Sequence, residues 1–186
     1  QLQSSEVKDL DLEAGHFYSS TSQDRNSRDG GLYATYAGEE ANTIDYFGGK
    51  YGITDALSVS LYGAKLEDIW NQYYANVNLT TPFGGDTSLN TDFNIYRTTD
   101  TGKALSGRID NTTWSLLSSY RNGAHTFSLG YQKVDGDSPF DYVTRGAIFI
   151  TNAVQLSDFN APNEQSWQAR YDLAMQAFGW PGLVLS

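Results

Sequence analysis

Two segments put a basic side chain on the polar face of an alternating pattern. In TIDYFGGKYGI, Lys50 shares a face with Tyr46, while Phe47, Tyr51 and Ile53 take the other. In SWQARYDLAM, Arg170 shares a face with Gln168 and Asp172, opposite Trp167, Ala169, Tyr171 and Leu173. The chemistry open to such residues is charge-assisted hydrogen bonding to anions. A guanidinium is permanently charged and meets a carboxylate with two parallel N–H donors. A spaced row of fixed cations gives a passing anion successive weak sites, tight enough to draw it in and loose enough to let it go. For Arg170 the competing reading is a structural pair with Asp172 that only braces its strand.

Covalent chemistry finds little support. The chain lacks cysteine, so neither a disulfide framework nor a thiolate metal site is available. His16 and His125 are the two histidines, and neither has an evident carboxylate orienter; HExxH, GxSxG and P-loop patterns are absent. The carboxylate pairs Glu67–Asp68 and Asp135/Asp137 fall where polar loops are expected, and a glycosidase would need its two acids at a set separation across a cleft. We therefore expect no metal, no cofactor and no enzyme activity. A net charge of −10 argues against a nucleic-acid partner.

The elements that must position these residues are strands. From Gln72, WNQYYANVNLTTP alternates strictly, with Tyr73, Ala75, Val77 and Leu79 against Tyr74, Asn76, Asn78 and Thr80. The same period runs through LDLEAGHFY, a short LYATYAG, TIDYFGGKYGI, ALSVSLYGAKLED, SLNTDFNIYR, NTTWSLLSSY, HTFSLGYQKV, AIFITNAVQL and SWQARYDLAM. No run approaches the roughly 20 apolar residues of a membrane helix, and mean hydropathy is −0.47. A transmembrane barrel passes that test, because lipid-facing and lumen-facing residues alternate and the average looks polar. Short turns (TDA, PFGGD, RNGA, FGWPG) alternate with longer polar loops, and the strands are long enough to cross a bilayer, where about 9 to 11 tilted residues suffice. These features favour an all-β, transmembrane antiparallel barrel. A soluble secreted β-sandwich that binds carbohydrate remains the alternative, with a small-barrel outer-membrane enzyme behind it.

Two stretches carry a family resemblance: AKLEDIWNQYYANV, and FITNAVQLSDFNAPNEQSWQARYDLAMQAFGWPGL. They resemble the OprD family of outer-membrane porins, the substrate-selective carboxylate channels of Gram-negative bacteria, and similarity runs over essentially the whole chain. The resemblance implies an 18-stranded monomeric barrel in the cell outer membrane, of which residues 1–186 form a single partial segment with about half of the strands. The start at Gln1 and the strand-like ending GLVLS agree with a piece of a longer chain. Its expected partners are small carboxylate solutes such as amino acids, organic acids or aromatic acids, together with outer-membrane lipid and lipopolysaccharide.

Family members narrow the pore with inward-folded loops and line one wall with a ladder of Arg and Lys. That pattern implies pore-lining roles for Lys50, Arg145, Arg170 and Asp172. It implies a constriction loop holding Asp135, Asp137, Ser138, Asp141 and Tyr142, with Asp158 in the loop that follows; an ordinary solvated loop is the competing reading. His16 stands where a basic rung is expected, or else at a strand end. Arg121 reads as a periplasmic turn residue, Arg97 as a strand-end residue, and Arg25, Arg28, Lys103 and Arg108 as solubilising loop residues open to lipopolysaccharide phosphates. Tyr18, Tyr33, Trp70, Tyr73, Trp114, Tyr120, Tyr131, Trp167 and Trp180 fit interfacial girdles.

Overall fold

The structure is a computed structural model that describes residues 1–21, 30–143, 146, 148–154 and 157–186. Arg25, Arg28 and Arg145 lie outside the described residues. Ten strands pair in one antiparallel sheet: β1 (Leu2–Ser4), β2 (Leu10–Phe17), β5 (Ile44–Thr54), β6 (Leu57–Leu66), β7 (Trp70–Gly84), β8 (Thr87–Asp100), β9 (Asp110–Asn122), β10 (His125–Gly136), β11 (Gln165–Ala174) and β12 (Val184–Leu185). The short strands β3 (Leu32–Tyr33) and β4 (Glu40–Ala41) pair with each other inside the β2–β5 connection. Neighbours in sequence are neighbours in the sheet throughout, an up-and-down meander with strands of up to 15 residues.

The inter-strand register explains what the alternation is for. One lateral row crosses seven strands as Tyr51, Val59, Val77, Phe93, Leu116, Tyr131 and Trp167. The row one residue away crosses the same seven as Lys50, Ser60, Asn76, Asn94, Ser115, Gln132 and Ser166. Because successive side chains point to opposite faces, the first row is wholly apolar and the second wholly polar. The apolar face is the exposed one: Tyr73, Val77 and Leu79 are 59, 41 and 41 % accessible, whereas Asn94 is 3 %. Among the described residues no second sheet covers that face, which rules out the sandwich. An exposed apolar row beside a sheltered polar row suits hydrocarbon outside and water within.

Strand ends sort for the most part as expected, the exception at the short-turn end being the β11–β12 link, residues 175–183, of which FGWPG is only a part. Asp55–Ala56, Gly85–Asp86 and Gly123–Ala124 make tight turns at one end, and residues 18–43, 101–109 and 137–164 form long connections at the other. Gly123 turns with φ of +57°, a conformation that a β-carbon disfavours. The β6–β7 link, residues 67–69, is short although it lies at the long-loop end. Trp114, Tyr131 and Trp167 pack in series on the outer face as tilted rings, with centroids 5.1 and 4.5 Å apart.

Two expectations are corrected. Trp70 is no girdle residue: it points inward and lies 2 % exposed with Leu32, Leu66, Ile69 and Ile109 in a small core beneath the 30–43 loop. AIFITNAVQL forms no ladder among its described residues. The N–H groups of Phe149, Thr151 and Asn152 instead donate to side chains of the sheet: Tyr96 Oη at 3.0 Å, Ser115 Oγ at 3.1 Å and Gln132 Oε1 at 2.9 Å. These acceptors come from three consecutive strands, so the segment crosses the inner wall.

Candidate functional site: the inner wall and the loop folded on it

The polar face is built to hold a chain segment. Gln72 on β7 donates to the carbonyl of Asp141 (3.0 Å), Asn111 on β9 to that of Pro139 (2.9 Å), and Gln132 on β10 to those of Asp158 (2.7 Å) and Phe159 (2.9 Å). Each amide projects inward because its strand alternates, and each satisfies a carbonyl that no strand partner would reach. Rings complete the seat, with Phe140 against Tyr96 and Phe149 stacked on Tyr74.

The 30–43 loop joins the 137–164 loop on the inner side of the sheet. Ala34 bridges Val143, and Thr35 N–H donates to the carbonyl of Tyr142 at 2.8 Å. The phenols of Tyr36 and Tyr142 both donate to Asp158 Oδ2, at 2.6 and 2.7 Å. Burial, then the carboxylate of Asp158, pushes the Tyr36 phenol up to about 12, and the same causes raise Tyr142. Both phenols therefore remain donors at neutral pH. Burial also raises the Asp141 carboxyl, against the pull of the backbone N–H groups that surround it.

The candidate residues separate as follows. Lys50 lines the inner cavity with Ser60, Tyr62, Tyr74 and Tyr142. Arg170 and Asp172 lie on the inner face of β11 and pair with each other at 2.8 Å. Lys50 and Arg170 do not form one column: β5 and β11 are six steps apart in the order β5-β6-β7-β8-β9-β10-β11, roughly 29 Å along the wall at about 4.8 Å per strand. Arg170 is also four residues beyond Ser166, which shares the row of Lys50, a descent of about 13 Å toward the short turns.

The proposed constriction set also divides. Tyr142 lines the cavity. Asp135 belongs to β10 rather than the loop, and alternation turns it to the outer face beside Lys133 (3.0 Å). Asp137 is exposed at the loop's start, and Ser138 Oγ accepts the Asn111 side-chain amide at 3.1 Å. Asp141 is buried behind the cavity rather than facing it.

Elsewhere, His16 is turned to the outer face, its Nδ1 2.7 Å from Asp45 Oδ1, so it is no rung on the inner wall. Arg97 pairs with Asp110 and Lys103 with Asp68. Lys103 holds the Asp68 carboxyl below its usual range.

Sequence reasoning missed the cluster around Asp92 on β8. Its carboxylate accepts from Asn76 (2.8 Å), Asn78 (2.9 Å) and Asn94 (2.7 Å). The available signal was the density of Asn and Asp on the polar faces of two adjacent strands. Charge-assisted acceptance from three amides fixes this part of the wall and disperses the carboxylate's charge.

A meander with an apolar outer face, a polar inner face and a loop tied across the inner face defines the wall of a transmembrane β-barrel. Comparison with known proteins makes that class specific. The chain belongs to the outer membrane porin, OprD family, whose sequence pattern matches residues 1–186. It is 58 % identical to Porin D of Pseudomonas aeruginosa over 99 % of this chain and 44 % of that protein. It is 32 % identical to the porin-like protein GalP of Pseudomonas putida, over 100 % of this chain and 45 % of the relative. The crystal structure of the outer membrane protein OprD from Pseudomonas aeruginosa superposes with a TM-score of 0.89 at 59 % identity, over 98 % of this chain and 45 % of that one. The chain thus spans about half the length of the relatives it matches, and its ten-stranded sheet is an open part of a barrel rather than a closed one.

Proposed function

We propose that this chain supplies wall and constriction to an outer-membrane channel for passive, selective diffusion of small carboxylate-bearing solutes, among them amino acids and organic or aromatic acids. The observation that carries this reading is the seating of the 137–164 loop on the polar inner row, with Tyr142 at the cavity. A loop tied across a wide barrel narrows it, and a narrow wet passage discriminates by size and charge.

Lys50 is the cation we assign to the conducting path, as an anion station on the cavity wall. Arg170 contributes a weaker field because Asp172 offsets it, and Arg145 joins the same set by its place in the loop. The complete barrel acts as a monomer surrounded by outer-membrane lipid, with lipopolysaccharide phosphates near Arg108 and Lys103. No cofactor or energy coupling takes part.

Single-channel recording on a closed barrel carrying this segment tests the proposal. Anion preference, together with current blockade by small carboxylates at sub-saturating concentration, is expected. A channel that conducts without distinguishing carboxylates from cations or neutral solutes overturns it.

A further inference from the structure

Asp141 belongs to the proposed constriction loop, yet its side chain is 2 % exposed and does not line the cavity. Oδ1 accepts the backbone N–H of Tyr36 at 2.9 Å and that of Tyr142 at 2.8 Å. Oδ2 accepts the N–H of Ala37 at 3.3 Å. Its own carbonyl accepts Gln72 Nε2 from the β7 wall at 3.0 Å. One residue therefore touches the 30–43 loop, the 137–164 loop and the barrel wall.

The neighbouring contacts depend on that junction. Tyr36 and Tyr142 reach Asp158 from opposite loops, and their backbone N–H groups are the two that Oδ1 holds. Of the residues at this junction Tyr142 lines the cavity, and its position is set from behind. Burying a carboxylate is costly unless hydrogen bonds satisfy it, so a buried carboxylate surrounded by N–H donors restricts the local geometry strongly.

We infer that Asp141 is the positioning residue that locks the two loops together and so fixes the aperture at Tyr142. This deepens the channel reading above and rests on it. Without Asp141, three part-buried N–H groups lose their acceptor, the loops separate, and the passage widens and fluctuates.

Residues 1–186 contain no cysteine, so a pair introduced here has no competing thiol within this segment. In a closed barrel carrying this segment, Asp141→Ala is expected to raise single-channel conductance about twofold, increase open-channel noise and flatten discrimination between small and bulky carboxylates. Asp141→Asn keeps an oxygen for the Tyr36 and Tyr142 N–H groups but turns an amide donor toward the longer contact with Ala37 N–H, and should lie closer to the parent than to the alanine variant. Adding Ala34→Cys and Val143→Cys to the alanine variant places a disulfide across the Ala34–Val143 bridge. Oxidation should then restore the parent conductance, and reduction should remove the restoration.

If Asp141→Ala does not fold alone, the oxidised triple variant is folded first and then reduced within the bilayer. A folded, reduced barrel with unchanged conductance, noise and size discrimination overturns the inference. Loss of carboxylate preference in the parent protein would instead overturn the channel reading, while the effect of Asp141 on conductance would still be measurable.

Discussion

The backbone N–H of Asn152 donates to Oε1 of Gln132 across 2.9 Å, and both residues are buried. The same Gln132 side chain gives its amide hydrogens to the carbonyls of Asp158 and Phe159. One inward amide on β10 thus satisfies three backbone groups of a segment that has no strand partner there. Gln132→Leu keeps similar volume and removes all three bonds. A cost of about 2–4 kcal/mol to the loop's seating is expected, since each buried unsatisfied group costs about 1–3 kcal/mol less what water recovers. Limited proteolysis of the folded barrel reads this directly: faster cleavage within 148–164 is expected, and parental protection would refute the role given to Gln132.

Gly130 lies on the same strand, directly beneath that segment. A β-carbon added there would stand 2.7 Å from Thr151 Cγ2 and 3.0 Å from Asn152 Oδ1. Gly130→Val should push the segment off the wall, at a typical overpacking cost of about 1–3 kcal/mol. The barrel should still fold while its conductance changes. Unchanged conductance together with unchanged loop proteolysis would mean that the segment has room to spare.

These two sites also show why the sequence disclosed some features and concealed others. Alternation acts within each strand, so the faces of β7, β8 and β11 are legible residue by residue in the sequence alone. The fate of IFITN was not legible, because an apolar run with period two suits a strand equally well. What decided it lies far away in the chain, where Tyr96, Ser115 and Gln132 offer acceptors from three strands. Asp141 was legible as a loop carboxylate, but its burial depends on backbone N–H groups about a hundred residues earlier. Trp70 looked like an interfacial ring because strand ends favour such rings, and only the folded 30–43 loop makes that position a core. Lys50 and Arg170 looked like parts of one wall because period two reports the face, not the distance around the barrel.

Their separation gives a charge prediction. Lys50 makes no ion pair among the described residues, whereas Arg170 is matched to Asp172 at 2.8 Å. Lys50→Gln should lower anion preference, and Arg170→Gln should matter less. Asp172→Asn should increase anion preference by releasing Arg170. Reversal potentials in asymmetric salt distinguish these cases, most clearly at low ionic strength, where the Debye length is long. Equal effects from Lys50→Gln and Arg170→Gln would contradict the pairing argument.

The link between Asp68 and Lys103 is a surface element with a pH signature. Asp68 Oδ2 accepts from Lys103 Nζ at 2.7 Å, and Oδ1 accepts the Lys103 backbone N–H at 3.1 Å. Its carboxyl is held below the ordinary value, chiefly by the hydrogen bonds to Lys103. A depressed carboxyl stabilises the fold above its unfolded pKa, and that contribution is lost as pH falls through the lower folded value. Order in the 101–109 loop should therefore persist at neutral pH and decline below about pH 4. Hydrogen exchange at Lys103 N–H and Leu105 N–H, the latter bonded to the Asp68 carbonyl at 2.9 Å, follows the loss. Asp68→Asn should bring the faster exchange up to neutral pH, and pH-independent exchange in the parent would exclude this link.

The orientation of the sheet itself can be tested at one pair of adjacent residues. Val77 lies in the middle of the apolar row, and Asn78 projects from the opposite face toward Asp92. If hydrocarbon bathes the first face, Val77→Lys should destabilise the folded barrel by about 2–4 kcal/mol, the cost of a lysine near the bilayer midplane. Asn78→Lys exchanges one donor to Asp92 for another in a water-filled passage, leaves the Asn90 amide with Thr80 Oγ1 as acceptor, and should cost far less. Urea titration of both variants in lipid vesicles measures the difference, with the intrinsic strand propensities of the two sites as a correction of well under the expected gap. Equal tolerance at the two positions would mean that the apolar row does not meet lipid, and the channel reading built on that row would fall with it.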